Sequence, residues 1–194
     1  MNYTFTVFTP TFNRAVSIHR VYESLQSQAF HDFEWLIVDD GSEDDTADLV
    51  GNWIKEADFP IEYMKQSHAG KHIAWNHALR KAKGRFFIIA DSDDGFVPNA
   101  LERLLEVWKS IPREASGSYR GVTCRCVTNE GVVVGSMQIP TPWLEASEAD
   151  VKYVHKSQYE MWGMTSTEVP RQYLNPNIAG MRFYPAAVKW VKNI

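Results

Sequence analysis

The sequence predicts an α/β domain built on a mostly parallel sheet, and three observations lead there. Over the first 110 residues, short apolar runs alternate four times with stretches of helical periodicity. The apolar runs are nearly continuous, which is the pattern of strands buried on both faces. Polar and acidic residues fall just after those runs, where open parallel sheets bind their ligands.

Residues 3–9 are β-branched and aromatic and stop at Pro10, which reads as a first strand. Ile18, Val21, Tyr22 and Leu25 have the spacing of a core-facing helix. Residues 33–38 form a buried strand that ends in the turn Asp39-Asp40-Gly41-Ser42. Asp44 and Asp45 favour the start of a helix whose inner face is predicted to be Ala47, Val50, Ile54 and Ala57. Residues 61–65 are a third strand, and His68-Ala69-Gly70 turns into a helix over 71–82 that Gly84 stops. Residues 85–90 are the next strand, ending in Asp91-Ser92-Asp93-Asp94. Leu101, Leu104, Leu105 and Trp108 mark a helix closed before Pro112.

Beyond Pro112 the rhythm changes. Strands are predicted over 121–127 and 132–139, joined through the hairpin-type turn Asn129-Glu130-Gly131. A short helix over 146–155, a strand near 161–166 and a last helical piece over 186–191 follow. With no repeat and no clear linker, residues 1–194 read as a single domain. The chain ends on a helical pattern without a capping signal, which predicts a truncated C-terminus.

Bulk properties narrow the function. The 194 residues are 44% hydrophobic and 23% charged, with a net charge of −4 and no basic stripe. That argues against nucleic acid, whose binding is carried largely by phosphate neutralisation. No apolar run approaches the roughly 20 residues that cross a bilayer, and the start lacks a signal-peptide pattern. The expected location is cytoplasmic, or peripheral at the inner face of the membrane. Cys124 and Cys126 lie two apart on one side of a strand, too poorly placed for a bridge or a zinc site, and read as buried reduced thiols.

The acidic excess is concentrated in two of the three turns that follow strands. Right-handed crossovers put all three turns at one edge of the sheet. Carboxylates gathered there repel one another unless a cation or hydrogen-bond donors compensate. The Asp-x-Asp of Asp91-Ser92-Asp93 suits a hard cation such as Mg²⁺ or Mn²⁺, which also reaches substrate phosphates. An Asx-turn or a cap for the helix beginning near Pro98 would use the same residues.

Residues 5–14 and Phe33-Glu34-Trp35-Leu36-Ile37-Val38-Asp39-Asp40-Gly41-Ser42 resemble the opening of family 2 glycosyltransferases. So do Ala69-Gly70-Lys71 with Asn76 and Ala78, and Phe86-Phe87-Ile88-Ile89-Ala90-Asp91-Ser92-Asp93-Asp94. The four blocks keep the family's order and spacing over residues 3–110. The resemblance implies a GT-A (Rossmann-like) fold, a three-layer α/β/α sandwich with a mostly parallel central sheet. Residues 1–110 would be the nucleotide-sugar-binding half and 111–194 the acceptor-side half.

The resemblance also implies roles. Thr9, Pro10, Thr11, Asn13 and Arg14 would line the base pocket, largely through backbone. Asp40 would accept the imide hydrogen of uracil, or its equivalent on another base, with Asp39 in support. Gly70, Lys71 and Asn76 would lie near the nucleotide and sugar, and Asp91 with Ser92 would touch the ribose or sugar. Asp93 and Asp94 would hold Mn²⁺ or Mg²⁺ and the diphosphate. Each has a plainer alternative: a structural turn for Asp39, capping or packing for Asn13 and Asn76, a solvated helix start for Lys71. His68, His72 and His77 read as a solvated helix edge rather than a second metal cluster.

The implied reaction is an inverting, metal-dependent transfer from a UDP-sugar to a saccharide, lipid-linked or protein acceptor, as in cell-surface polysaccharide synthesis. It needs a general base. The segment Arg182-Phe183-Tyr184-Pro185-Ala186 resembles the family's base region, where an acid follows the Pro, but Ala186 carries only a methyl group. Glu168 and Glu160 are the nearest other carboxylates, with a helix N-terminal role the plain reading of Glu168. A catalytically impaired nucleotide-sugar-binding protein is the alternative. A nucleotidyltransferase would want a glycine-rich loop after the first strand, and residues 9–14 contain no glycine.

Overall fold

The computed structural model describes residues 2–112, 114–135, 144–147, 150–151, 161–178 and 180. The elements are β1 (Tyr3–Thr11), α1 (His19–Gln26), β2 (Phe33–Asp39), α2 (Thr46–Glu56), β3 (Ile61–Lys65), α3 (Lys71–Lys81), β4 (Gly84–Ile89), α4 (Ala100–Ser110), β5 (Gly121–Arg125), β6 (Met161–Ser166) and α5 (Glu168–Arg171). The strands form one sheet in the order β3-β2-β1-β4-β6-β5. β1, β2, β3 and β4 are parallel, and β6 runs antiparallel to β4. From β1 the chain winds outward through β2 to β3, then returns to place β4 on the other side of β1. The carboxyl ends of β1 and β4 therefore flank the topological switch point, where such sheets open a crevice.

Two faces of aromatic and aliphatic side chains explain why the strand sequences are continuously apolar. Phe8, Leu36, Val38 and Phe87 pack on Ala74, Ala78 and Leu79 of α3. The alternate strand residues face the other layer. Trp35 lies 5.9 Å from Trp53 of α2 and 6.3 Å from Tyr22 of α1, and Phe86 lies 4.9 Å from Trp108 of α4. Helices thus cover both faces, giving the three-layer α/β/α arrangement. Arg171 of α5 closes the end of α3, donating to the carbonyl oxygens of Leu79 (3.0 Å) and Ala82 (2.5 Å).

Two local expectations are corrected. Pro10 lies within β1 rather than ending it, paired in register with Val38. Phe8 accepts from Ala90 on the β4 side, and Pro10 shares that parity, so its missing N–H faces a side where β4 pairing has ended. The inner face of α2 is Thr46, Val50 and Trp53, while Ile54 is 47% exposed. Stacking of Trp53 on Tyr22, at 4.4 Å, turns the helix toward the larger ring.

Two compact units are distinguishable: Met1–Val122 with Met164–Ile194, and Thr123–Gly163. In the second unit the expected turn is present, with Val127 bridged to Val133 antiparallel and Gly131 at φ 77°. Both cysteines are free, but Cys124 is exposed rather than buried, because β5 ends at Arg125 with its outer residues open to solvent. Residues 136–139, much of 146–155, and 186–191, where further elements were expected, lie outside the described residues. Among the described residues, no helix is long and apolar enough to cross a membrane.

Candidate nucleotide-sugar site

Because β1, β2 and β4 are parallel, the turns that follow them share the carboxyl edge of the sheet. Asp40 is the centre of what they build there. It is 5% exposed, and a buried carboxylate requires donors. The connection between β3 and α3 supplies them. Oδ1 accepts from Gln66 Nε2 at 2.7 Å and from the amide of Ala69 at 2.8 Å. Oδ2 accepts from the amide of Gly70 at 2.9 Å and lies 2.9 Å from Nδ1 of His68. Gly70 can offer its amide because it adopts φ 98°, which favours glycine, just before α3 begins.

That geometry delivers the next residue, Lys71, to the far side of the crevice. Its Nζ lies 2.6 Å from Oδ1 of Asp91, at the end of β4. Both side chains are about half exposed, so the pair is available to a ligand. The turn continues through buried Ser92 to exposed Asp93 and Asp94, and the Asp94 amide closes it on the Asp91 carbonyl at 3.0 Å. Arg20 from α1 donates to the carbonyl of Asp93 at 3.4 Å. Among the described residues, no three His, Cys, Asp or Glu groups converge as a cage for a cation. Two hard-oxygen donors on an open turn do fit a cation such as Mg²⁺ or Mn²⁺ that shares its coordination with phosphate oxygens.

Several predicted residues also hold the framework together. The Thr9 hydroxyl is buried and accepts from Trp35 Nε1 at 2.9 Å. Asp39 is fully buried, bonded to the Ser42 amide at 2.7 Å and to the Tyr63 hydroxyl. Burial, and then this bond to Asp39, push the Tyr63 hydroxyl well above its ordinary pKa. Asn13, at φ 53°, clamps two turns together: its amide donates to Ser42 Oγ and its Oδ1 accepts from Glu43, both at 2.8 Å. The Arg14 side chain is exposed, and its carbonyl accepts from Ser17 and Ile18 at the head of α1. Thr11 is different: its Oγ1 is buried with no partner among the described residues, at the mouth of the site.

Asn76, read as either a ligand contact or a packing residue, makes packing contacts here. Its Nδ2 donates to the carbonyl of Asn175 at 2.8 Å and its Oδ1 accepts the Asn175 amide at 2.9 Å. Glu168 is at the wrong end of the sheet. Thr167 bonds Gly84 and Arg85, at the amino end of β4. Six residues at about 3.3 Å each, from Arg85 to Asp91, then put Glu168 roughly 20 Å from Asp91. Glu168 pairs instead with Arg171 at 2.8 Å, as a first-turn helix acid. Ala186 and Glu160 lie outside the described residues. Of the three histidines read as a solvated edge, His72 departs, being 6% exposed, while His68 is 36% exposed and tied to Asp40. Sequence reasoning passed over Gln66, Tyr63 and Phe12. Only Phe12 carried a signal, as an exposed aromatic residue inside a polar turn.

Comparison with known proteins bears on the family and the fold. Residues 6–129 match the profile of "Glycosyl transferase family 2". The chain is 35% identical over 102 residues to the GalNAc(5)-diNAcBac-PP-undecaprenol beta-1,3-glucosyltransferase of Campylobacter jejuni, an alignment covering 52% of this chain and 33% of that protein. It is 33% identical over 117 residues to the TuaG glycosyltransferase of Bacillus subtilis, covering 60% and 45% respectively. The chain thus spans less than half the length of these curated relatives. Among solved structures, residues 1–349 of Staphylococcus aureus TarS superpose with a TM-score of 0.62 at 19% identity, covering 96% of this chain and 53% of that one. The mannosyltransferase PcManGT of Pyrobaculum calidifontis, solved with GDP-Man and Mn²⁺, superposes with a TM-score of 0.53 at 27% identity, covering 58% and 34%. A family match over most of the chain, together with a GT-A architecture, leads to one assignment: the protein belongs to glycosyl transferase family 2.

Proposed function

We propose that this chain binds a UDP-sugar with Mn²⁺ or Mg²⁺ and forms the donor side of an inverting glycosyltransferase. The observation that carries the reading is the Lys71–Asp91 pair at 2.6 Å, bridging α3 to the end of β4 beside the Asp93–Asp94 turn. It puts a cation next to carboxylates at the switch point, the arrangement a diphosphate and its metal require. Lys71 would neutralise charge on the leaving diphosphate, and Asp91 would orient the ribose or sugar. Asp93 and Asp94 would hold the metal, whose chemistry is to stabilise the same developing charge. Asp40 and Thr11 would read the base. Asp40 offers acceptors only, which suits the imide N–H of uracil or the equivalent ring N–H of another base.

The acceptor we propose is a saccharide on a lipid or protein carrier, met at the inner face of the membrane. The undecaprenol-linked substrate in the Campylobacter relative's name supports the lipid form. Isothermal calorimetry with UDP and MnCl₂ tests the donor site: metal-dependent heat supports it, and heat that survives unchanged in Asp93→Ala refutes it. A second reading, a nucleotide-sugar-binding protein with impaired catalysis, is favoured by the methyl group of Ala186 and by the distance of Glu168 from the crevice. Release of sugar from the donor without acceptor would favour the enzyme. Gain of turnover in Ala186→Glu would identify the missing base, and an unchanged rate would remove that account.

A further inference from the structure

The imidazole of His68 lies against the ring of Phe12, with centroids 4.3 Å apart and planes inclined by 23°. Its Nδ1 is 2.9 Å from Asp40 Oδ2 and 3.2 Å from the Asp40 carbonyl. Both oxygens are acceptors, so Nδ1 carries the proton. A planar nitrogen heterocycle thus rests on an aromatic face and donates a ring N–H to a buried carboxylate. Proteins hold nucleobases with those same two contacts, stacking and an edge hydrogen bond.

We propose that the His68 side chain occupies the nucleobase's place in the nucleotide-free protein, and that the base enters by displacing it. The inference rests on the nucleotide-binding reading above. Four donors crowd Asp40, and two of them, the amides of Ala69 and Gly70, are backbone at the head of α3. A base that donates to Asp40 must take the place of a donor that can leave. The His68 backbone is itself confined, with its amide 3.3 Å from where a Cβ on Gly41 would sit. Its side chain is not, since it is 36% exposed and turns on two bonds toward solvent. Phe12, 41% exposed, keeps a face for the incoming ring.

A group that competes for the site lowers apparent affinity by the fraction of time the site is open. If His68 is seated about nine-tenths of the time, its removal tightens UDP binding about tenfold. The test is calorimetry of UDP with Mn²⁺ on the wild-type chain and His68→Ala, alongside inorganic pyrophosphate, which has no base. The account predicts a tenfold gain for UDP and none for pyrophosphate. Unchanged or weaker UDP binding by His68→Ala, with wild-type binding intact, overturns the stand-in and leaves the nucleotide site standing. An equal gain for pyrophosphate also overturns it. No UDP binding by either protein overturns both readings. The wild-type chain gives an independent readout by NMR: saturation with UDP and Mg²⁺ should move the His68 ring protons out of the shielding of Phe12, and protons that stay in place while UDP binds contradict the proposal.

Discussion

Lys71 and Asp91 come from opposite sides of the switch point and meet at 2.6 Å. Exposed ion pairs of this kind contribute about 0–1 kcal/mol to stability, so a role in folding does not explain the contact. Lys71→Ala is therefore expected to leave the melting temperature almost unchanged. It should weaken UDP binding in the presence of Mn²⁺ about tenfold, the loss of one charge-assisted contact of ~1.4 kcal/mol. Equal affinities by calorimetry would place the diphosphate elsewhere.

Gly70 holds the Asp40 clamp through a backbone that side chains resist, at φ 98°. Gly70→Ala should lose about 1–2 kcal/mol of stability from strain alone. Nucleotide affinity should fall with it, because the amide that organises Asp40 is displaced. Urea unfolding measures the first effect and titration with UDP the second.

The Tyr63–Asp39 bond gives a pH signature. Burial and the bond raise the Tyr63 hydroxyl above its ordinary value of 10.0. A raised folded-state value means the contribution is complete below pH 10 and is lost as pH rises through the folded value. Tyr63→Phe should cost about 1–3 kcal/mol near neutrality, since buried Asp39 loses a donor. The gap between wild type and variant should narrow above pH 10. Urea midpoints measured across pH 7–11 check the trend, and a gap that widens would contradict it.

Asn76 separates packing from binding. Its amide is bonded at both ends to Asn175, so Asn76→Ala removes two bonds to a half-buried backbone and should cost about 0.5–1.5 kcal/mol. UDP affinity measured well below the melting temperature should stay within a factor of about two. A large affinity loss with intact stability would return Asn76 to the ligand.

The sheet was legible because its physics is local. Runs such as Phe33-Glu34-Trp35-Leu36-Ile37-Val38 can be buried only between two layers, and Gly70 and Pro112 punctuate the helices where expected. Chain direction then placed the Asp40 and Asp91 turns on one edge without further information. What each polar side chain does there was less legible. Asn13, Asn76 and Thr9 have the same chemistry whether they bind a ligand or a neighbouring turn, and only the fold decides which acceptor is nearer. His68 showed nothing in the sequence, because its partners Phe12 and Asp40 lie 56 and 28 positions away. Glu168 follows the plain reading of a helix N-terminal acid, because an antiparallel strand, β6, carries the chain back to the opposite edge.

The central claim is that the carboxyl edge between β1 and β4 binds a nucleoside diphosphate together with a dication. Calorimetry of UDP against wild type and Asp93→Ala, each with and without Mn²⁺, tests it most directly. The expected result is binding by wild type that requires Mn²⁺ and is weakened at least tenfold in Asp93→Ala, with melting temperatures alike. Binding that is indifferent to both metal and substitution would contradict the account.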